Sequence, residues 1–205
     1  ETVRVTDDVA SAPLDQKDWR RGIAGDFFVL KAAGACADAM GDLEQVRAAA
    51  AKANDNTRSM GVALSSCTIP AAGRPIFELS EDEIEIGLGI HGEPGVRRQK
   101  LLPADEITDQ LVNHILKDEL FHAGDEVTVL VNGLGGTPLA ELFIVFRRVA
   151  KRLSDARIRI HRSYVGEYST SLDMTGCSVT LMRLDDELRK WVDWPAFSPY
   201  FTQTN

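Results

Sequence analysis

The chain has 205 residues, of which 44% are hydrophobic and 26% charged, a composition typical of an ordinary folded domain rather than a disordered or fibrous protein. Its net charge of −8 argues against a dedicated nucleic-acid binder, because such proteins use positive charge to replace the counterions of phosphates. No apolar run approaches the length of a membrane helix and no signal-peptide pattern opens the chain. We therefore expect a cytoplasmic protein that binds neither nucleic acid nor membrane.

The cysteines Cys36, Cys67 and Cys177 are odd in number and far apart in the sequence. This spacing predicts neither a disulfide framework nor a metal site. We expect three reduced, buried thiols.

The first residues alternate like a short strand over Thr2–Thr6 and lead into a polar stretch. A strand followed at once by a loop is an awkward start for a compact domain, and the chain begins at Glu1 without a methionine. We expect residues 1–21 to be the end of a preceding domain and a connecting segment, and residues 22–205 to form a second domain.

Two helices are predicted next. An Ala- and Gly-rich helix is expected over Ile23–Met40, and Asp42 is expected to cap a second helix that runs from Leu43 to about Arg58. A buried strand is predicted over Gly61–Ile69.

One histidine, His91, follows a pattern of alternating residues over Glu83–Ile90 that is typical of a half-buried strand. Continued by one residue, the alternation places His91 on the same face as Gly87 and Gly89. Glycines inside a strand mark places where another group comes close. We expect His91 at the lip of a shallow trough.

The middle of the chain predicts an amphipathic helix over Pro103–Leu120, a strand over Asp125–Val131 and a helix over Leu139–Leu153. The glycine-rich loop 132–138 joins this strand to its helix. Such an arrangement can hold an anion on free N–H groups, but the loop lacks the P-loop and dinucleotide motifs. Both a tight turn and a role near a substrate or phosphate stay open.

The last part predicts strands over Arg157–Ile160 and Ser178–Leu184, an irregular segment between them, a short capped helix over Asp185–Trp191 and an aromatic tail that packs across a surface. The elements mix hairpin-like strands with strand-helix alternation. The predicted fold class is α/β, with a mixed β-sheet and helices packed on it.

Of the four histidines, we expect His114 and His122 at the surface and His161 in a structural role. Taken by itself, a histidine after a strand such as His91 also fits a structural role, with its ring hydrogen-bonded to the protein. Its glycine-rich surroundings leave the imidazole unshielded, however, and Glu93 can orient a ring nitrogen. Without a serine, a cysteine or a second histidine in this motif, the remaining chemistry is general acid–base catalysis or direct nucleophilic attack.

Four motifs carry a resemblance to one family. They are Gly61–Pro75, Glu83–Val96, Val131–Leu142 and Leu172–Thr180. In this order they resemble the second domain of the dihydroxyacetone kinase substrate-binding subunit, a domain of DegV-like fold. The resemblance implies that His91 binds the ketone covalently as a hemiaminal, with Gly89, Gly92 and Glu93 around the substrate.

The resemblance also implies partners. The family's first domain carries a second histidine and an aspartate base, and a separate subunit or domain holds ATP, or ADP recharged by a phosphohistidine protein, with magnesium. We expect this chain to bind no cofactor and no metal itself, to be inactive alone and to form a homodimer. The alternatives are a ketose-sensing co-activator without kinase activity and a kinase for a ketotetrose such as erythrulose.

Overall fold

The computed structural model describes residues 1–204. Its helices are a 3-10 helix over Leu14–Trp19, α1 (Asp26–Asp38), α2 (Leu43–Asp55), α3 (Ala104–Leu116), α4 (Leu139–Asp155) and α5 (Asp186–Asp193). Its strands are β1 (Thr57–Ala63), β2 (Thr68–Ile69), β3 (Arg74–Pro75), β4 (Glu83–Ile86), β5 (Arg97–Lys100), β6 (Glu126–Gly133), β7 (Arg159–Gly166), β8 (Gly176–Arg183), β9 (Ala196–Phe197) and β10 (Thr202–Gln203).

Six of these strands form the central sheet, in the order β5-β4-β1-β8-β6-β7. All neighbours are antiparallel except β6 and β7, which are parallel and joined through α4. The predicted mixed α/β sheet is confirmed. Because β1 and β6 both run opposite to β8, the carboxyl ends of β1, β6 and β7 lie at the same edge of the sheet.

Helices cover both faces of the sheet. One core packs α3 and α4 against branched residues of the strands, and the other packs α1, α2 and α5 against the opposite face. The predicted apolar stripe of α3 is buried at Ile107, Leu111, Val112 and Ile115, and burial of such side chains stabilises the fold by about 1.5–3 kcal/mol each. The sheet is thus the middle of three layers.

Local capping determines where two helices begin, as predicted. The Asp42 carboxylate accepts the N–H of Gln45 at 2.9 Å, and the Gln45 side chain accepts the N–H of Asp42 at 2.9 Å, a capping box. Asp185 likewise accepts the N–H of Leu188 at 2.8 Å at the start of α5. Each cap satisfies backbone donors that a helix leaves free.

Two predictions near the start of the chain are wrong. Thr2–Thr6 forms no strand, because the N–H of Thr6 bonds to the Asn54 side chain at 2.8 Å and strand-like pairing is limited to one bridge between Asp8 and Ser59. Helix α2 ends at Asp55 rather than near Arg58, because the chain enters the fully buried strand β1 at Thr57. Tertiary burial overrides the local helix pattern there.

Strand boundaries also differ from prediction. The strand expected over Gly61–Ile69 ends at Ala63, because the chain leaves the sheet there and continues in the small β2–β3 hairpin. The strand expected over Arg157–Ile160 starts at Arg159 and extends to Gly166, since its backbone pairs with residues 126–132 of β6. The ends of β1 and β7 depend on pairing with neighbouring strands, and the local sequence pattern does not encode that pairing.

The aromatic tail packs on the protein as predicted. The Phe201 ring lies 5.4 Å from that of Phe27 and 6.0 Å from that of Tyr164, centroid to centroid. Within residues 1–204, no helix combines the length and the apolar character needed to cross a membrane.

The cysteines are free and buried, as predicted. Burial, together with the carboxylates of Glu141 and Glu167, raises the pKa of Cys177 to about 12. Because the thiolate is the reactive form, we expect the native protein at pH 8 to react with a chromogenic disulfide reagent far more slowly than the unfolded protein. A fast-reacting thiol in the native state would contradict this prediction.

Candidate functional site

His91 lies in the loop Gly87–Gly95 between β4 and β5, not at the end of a strand. The predicted strand over Glu83–Ile90 is wrong beyond Ile86, because Gly87 has a φ of +79° and turns the chain out of the sheet. Glu85 is not on a solvent face either. It is buried, accepts a hydrogen bond from Arg98 at 3.0 Å and accepts the N–H of Gly95 at 2.8 Å.

Backbone hydrogen bonds close this histidine loop. The N–H of Gly87 donates to the Gly61 carbonyl at 2.7 Å, and the N–H of Val96 donates to the Ile86 carbonyl at 2.8 Å. Within the loop, the N–H of Gly89 donates to the Glu93 carbonyl at 3.0 Å. The histidine therefore lies at the tip of a loop whose two ends are tied to the sheet.

The His91 side chain is 78% exposed. Its Nδ1 lies 3.2 Å from Oε1 of Glu93, and its backbone N–H donates to Oε2 of Glu93 at 3.0 Å. Partial burial by itself would raise the pKa of Glu93, but hydrogen bonds from the N–H groups of Glu93 and His91 and from the His91 ring hold it below its ordinary value. An ionised Glu93 accepts a hydrogen bond and so favours the neutral imidazole tautomer with its proton on Nδ1, in which Nε2 has a free lone pair.

Two glycines make this arrangement possible. A Cβ at Gly89 would lie 2.3 Å from Oε2 of Glu93, and a Cβ at Gly92 would lie 2.2 Å from Cδ1 of Ile76. Gly92 also has a φ of +85°, a conformation that glycine adopts most readily. The structure thus brings together His91, Glu93 and both predicted glycines.

A small apolar cluster supports the loop. Leu88 packs with Ala63, the last residue of β1, with Leu134, which follows β6, and with Met174, which precedes β8. Ile76 of the segment after β3 and Ile90 pack against the same cluster. Four loop segments therefore meet where β1 and β6 end, the edge of an α/β sheet where ligands commonly bind.

A carboxylate of the protein itself packs against the first glycine of the loop after β6. A Cβ at Gly133 would lie 2.0 Å from Oε1 of Glu167. Burial raises the pKa of Glu167, although the nearby backbone N–H of Gly135 acts to lower it. Because a carboxylate packs against this glycine, the structure favours a tight turn over a phosphate site.

The other histidines lie where the sequence predicted. His114 and His122 are exposed, and Nε2 of His161 is 2.8 Å from Oδ2 of Asp193 in an ion-pair network. Residues 1–204 contain no group of three or more His, Cys, Asp or Glu side chains that could ligate a metal ion.

Sequence reasoning missed two residues next to the loop, Asp8 and Arg21. Asp8 is fully buried, and the Arg21 guanidinium donates to its Oδ2 from Nε at 3.0 Å and from Nη2 at 2.7 Å. Nothing in the local pattern distinguishes Arg21 from the other charged residues before α1. Asp8 and Arg21 can be recognised only from the residues that they contact in the folded protein.

Burial raises the pKa of Asp8 to about 6 in spite of the Arg21 guanidinium, and burial also raises the pKa of the neighbouring Asp7. Between the unfolded value of 3.8 and about 6, the folded state binds more protons than the unfolded state, so stability falls as pH rises through this window. Relative to Asp8→Asn, we expect the wild type to lose about 2 kcal/mol of unfolding free energy between pH 4 and pH 7. Urea unfolding of both proteins at several pH values measures this, and parallel pH curves would contradict it.

With this geometry in hand, comparison with known proteins identifies the family. The model of the Dak1 domain matches residues 1–200 of the chain. The chain belongs to the Dak1 family. Among curated relatives, the dihydroxyacetone-binding subunit DhaK of PTS-dependent dihydroxyacetone kinase 2 from Listeria innocua is 51% identical over 201 residues, covering 98% of this chain and 60% of its own length.

Two further relatives of the Dak1 domain have other functions. A D-erythrulose kinase of Mycolicibacterium smegmatis is 46% identical, covering 96% of this chain and 34% of its own length. The solved structure of the dihydroxyacetone kinase operon co-activator Dha-DhaQ aligns with a TM-score of 0.84 and 33% identity, covering 94% of this chain and 59% of its own. The chain thus spans 60% or less of the length of these three proteins.

Proposed function

We propose that this Dak1 domain is the substrate-binding part of a dihydroxyacetone kinase and holds a short ketose covalently through His91. The observation that carries the proposal is the exposed imidazole with one nitrogen beside an ionised carboxylate, 3.2 Å from Nδ1 to Oε1 of Glu93. It stands in the most specific family motif of the chain. The Listeria innocua relative is named as a dihydroxyacetone-binding subunit, which supports the substrate class.

The chemistry follows from the tautomer. The Nε2 lone pair adds to the ketone carbon, and the carbonyl π electrons move to the oxygen, which takes a proton from water and leaves hydroxide. Nδ1 gives its proton to Glu93, and Glu93 passes that proton to the hydroxide, which restores water and the carboxylate. Because Nε2 then carries no hydrogen, water cannot be expelled to form a neutral imine, and the adduct stops at the hemiaminal. Gly89 and Gly92 let Glu93 and Ile76 pack against the loop backbone, which keeps the Glu93 carboxylate beside His91.

Such a tether selects for a carbonyl group. Dihydroxyacetone can form the adduct, whereas glycerol, which has no carbonyl, cannot. Selectivity against polyols then rests on bond formation rather than on the shape of the pocket. The exposure of His91 agrees with a site that another domain completes.

We propose partners accordingly. A first domain supplies the base that activates the ketose hydroxyl, and a separate subunit or domain supplies ATP, or recharged ADP, with magnesium. We also propose that the protein forms a homodimer and is located in the cytoplasm. This part of the protein then binds and presents the ketose but transfers no phosphoryl group by itself.

Two alternatives have specific support. The D-erythrulose kinase relative, 46% identical, favours a ketotetrose substrate, and side-by-side phosphorylation rates with dihydroxyacetone and erythrulose in the complete gene product separate the two. The co-activator structure, with a TM-score of 0.84, favours a sensor, which would bind the ketone without turnover when the nucleotide-binding partner is supplied.

The direct test is to observe the bond. In protein labelled with [15N]histidine and mixed with [2-13C]dihydroxyacetone, we expect a one-bond 13C–15N coupling between the former carbonyl carbon and a histidine nitrogen. The free ketone and its hydrate show no such coupling. Its absence in the complete gene product at saturating ketone would overturn the proposed function.

A further inference from the structure

Arg21 contacts both ends of the histidine loop. Its Nη2 donates to the Gly87 carbonyl at 3.0 Å, and its Nη1 donates to the Pro94 carbonyl at 3.2 Å. His91 lies between these two carbonyls in the sequence. The guanidinium therefore holds the start and the end of the loop at a defined separation.

The guanidinium is itself held in place. Nε and Nη2 both donate to Oδ2 of Asp8, whose side chain is 1% exposed. Oδ1 of Asp8 accepts the N–H of Ala10 at 2.9 Å, so both carboxylate oxygens are bonded. The N–H of Arg21 donates to the Ser11 hydroxyl at 3.0 Å. Backbone and side chain of Arg21 are thus both fixed.

The anchor reaches the central sheet. The N–H of Val9 donates to the Ser59 carbonyl at 3.0 Å, and the N–H of Ser59 donates to the Asp7 carbonyl at 2.8 Å. Ser59 belongs to β1, the strand whose Gly61 also binds the loop. Arg21 therefore fixes the position of the histidine loop relative to β1, a strand of the central sheet.

We infer that Arg21, held by Asp8, is a positioning residue for His91. It keeps the loop in the conformation in which Nε2 of His91 can reach the ketone carbon. The inference rests on the proposed function, and it assigns part of the substrate site to the segment before α1. Reacting groups need close alignment, and a misplacement of about 1 Å can cost about 100-fold in rate.

The geometry requires an arginine. The planar guanidinium of Arg21 donates to the Asp8 carboxylate and to the carbonyls of Gly87 and Pro94, which lie at the two ends of the loop. A lysine carries the same charge on a single nitrogen and lacks this fixed fork. Arg21→Lys therefore removes the bridge but keeps the positive charge beside Asp8.

The experiment compares the wild type with Arg21→Lys and Arg21→Ala in the complete gene product. Arg97→Lys is the matched control, since Arg97 flanks the loop on β5 but bonds to Gln110 of α3 at 2.9 Å instead. Hydrogen exchange of peptides covering residues 87–96 reports on the loop, and peptides from β6 and β8 report on the core. Titration with [2-13C]dihydroxyacetone measures adduct formation.

We expect exchange in residues 87–96 to become at least tenfold faster in Arg21→Lys, with core exchange unchanged, and the affinity for the ketone to fall at least tenfold. Arg97→Lys should change neither. Unchanged loop exchange in both Arg21 variants overturns the inference, as does faster loop exchange with unchanged ketone affinity.

The two proposals fail in different ways. If the wild type forms no adduct, the proposed function fails, and Arg21 then has no role in ketone binding. The hydrogen-exchange comparison still decides whether Arg21 holds the loop. If Arg21→Ala does not fold, Arg21→Lys carries the test, because it keeps the charge that Asp8 needs.

Discussion

Replacement of His91 by alanine is expected to abolish covalent ketone binding. Alanine has no nucleophile, and the remaining loop groups offer only hydrogen bonds to a small, strongly hydrated ligand. We expect an apparent affinity at least about 100-fold weaker, about 2.8 kcal/mol, and complete loss of the 13C–15N coupling. The measurement is the same titration with labelled dihydroxyacetone in the complete gene product.

The matched control is His114→Ala. His114 is an exposed histidine on α3 whose Nδ1 lies 2.8 Å from the Gln110 carbonyl, away from the histidine loop in the sequence. This variant should bind ketone as the wild type does. A full-strength adduct in His91→Ala, or its loss in His114→Ala, would show that the ketone is held elsewhere.

A second large effect is expected on stability when Asp118 is replaced. Asp118 receives two hydrogen bonds from Arg20, at 3.0 and 2.6 Å, and one from Nε of Arg58. All three residues are buried. Because removal of the carboxylate leaves two buried guanidinium groups without their counter-charge, we expect Asp118→Ala to lower the free energy of unfolding by about 3–5 kcal/mol.

The contribution of Asp118 also depends on pH in a defined direction. Burial would raise its pKa, but Arg20 and Arg58 lower it below the ordinary value. Stability from this group is therefore complete above the unfolded pKa of about 3.9 and is lost as pH falls below it.

Urea unfolding at pH 7 and pH 3 measures both effects. The control Asp155→Asn removes an exposed partner of Lys151 and should change stability by less than about 0.5 kcal/mol. A loss below about 1 kcal/mol in Asp118→Ala would mean that water reaches the two arginines in the folded protein.

Local sequence was sufficient where the physical cause is local. The caps at Asp42 and Asp185 and the apolar stripe of α3 depend on residues within one or two helical turns, so their patterns predicted them. The role proposed for His91 comes from the motif and not from periodicity. The alternation predicted a strand to Ile90, whereas Gly87 turns the chain out of the sheet four residues earlier in the structure.

The sequence by itself therefore determined the α/β class, the main helices and the histidine motif with its two glycines and Glu93. Only the tertiary structure decided that Glu167 packs against Gly133 and that Arg21 bonds to the start of the histidine loop from 66 residues away. Such contacts depend on how distant segments meet across the sheet. A charged side chain pairs with groups that are close to it in the folded chain. A sequence pattern with a period of 2 or 3.6 residues does not show which groups those are.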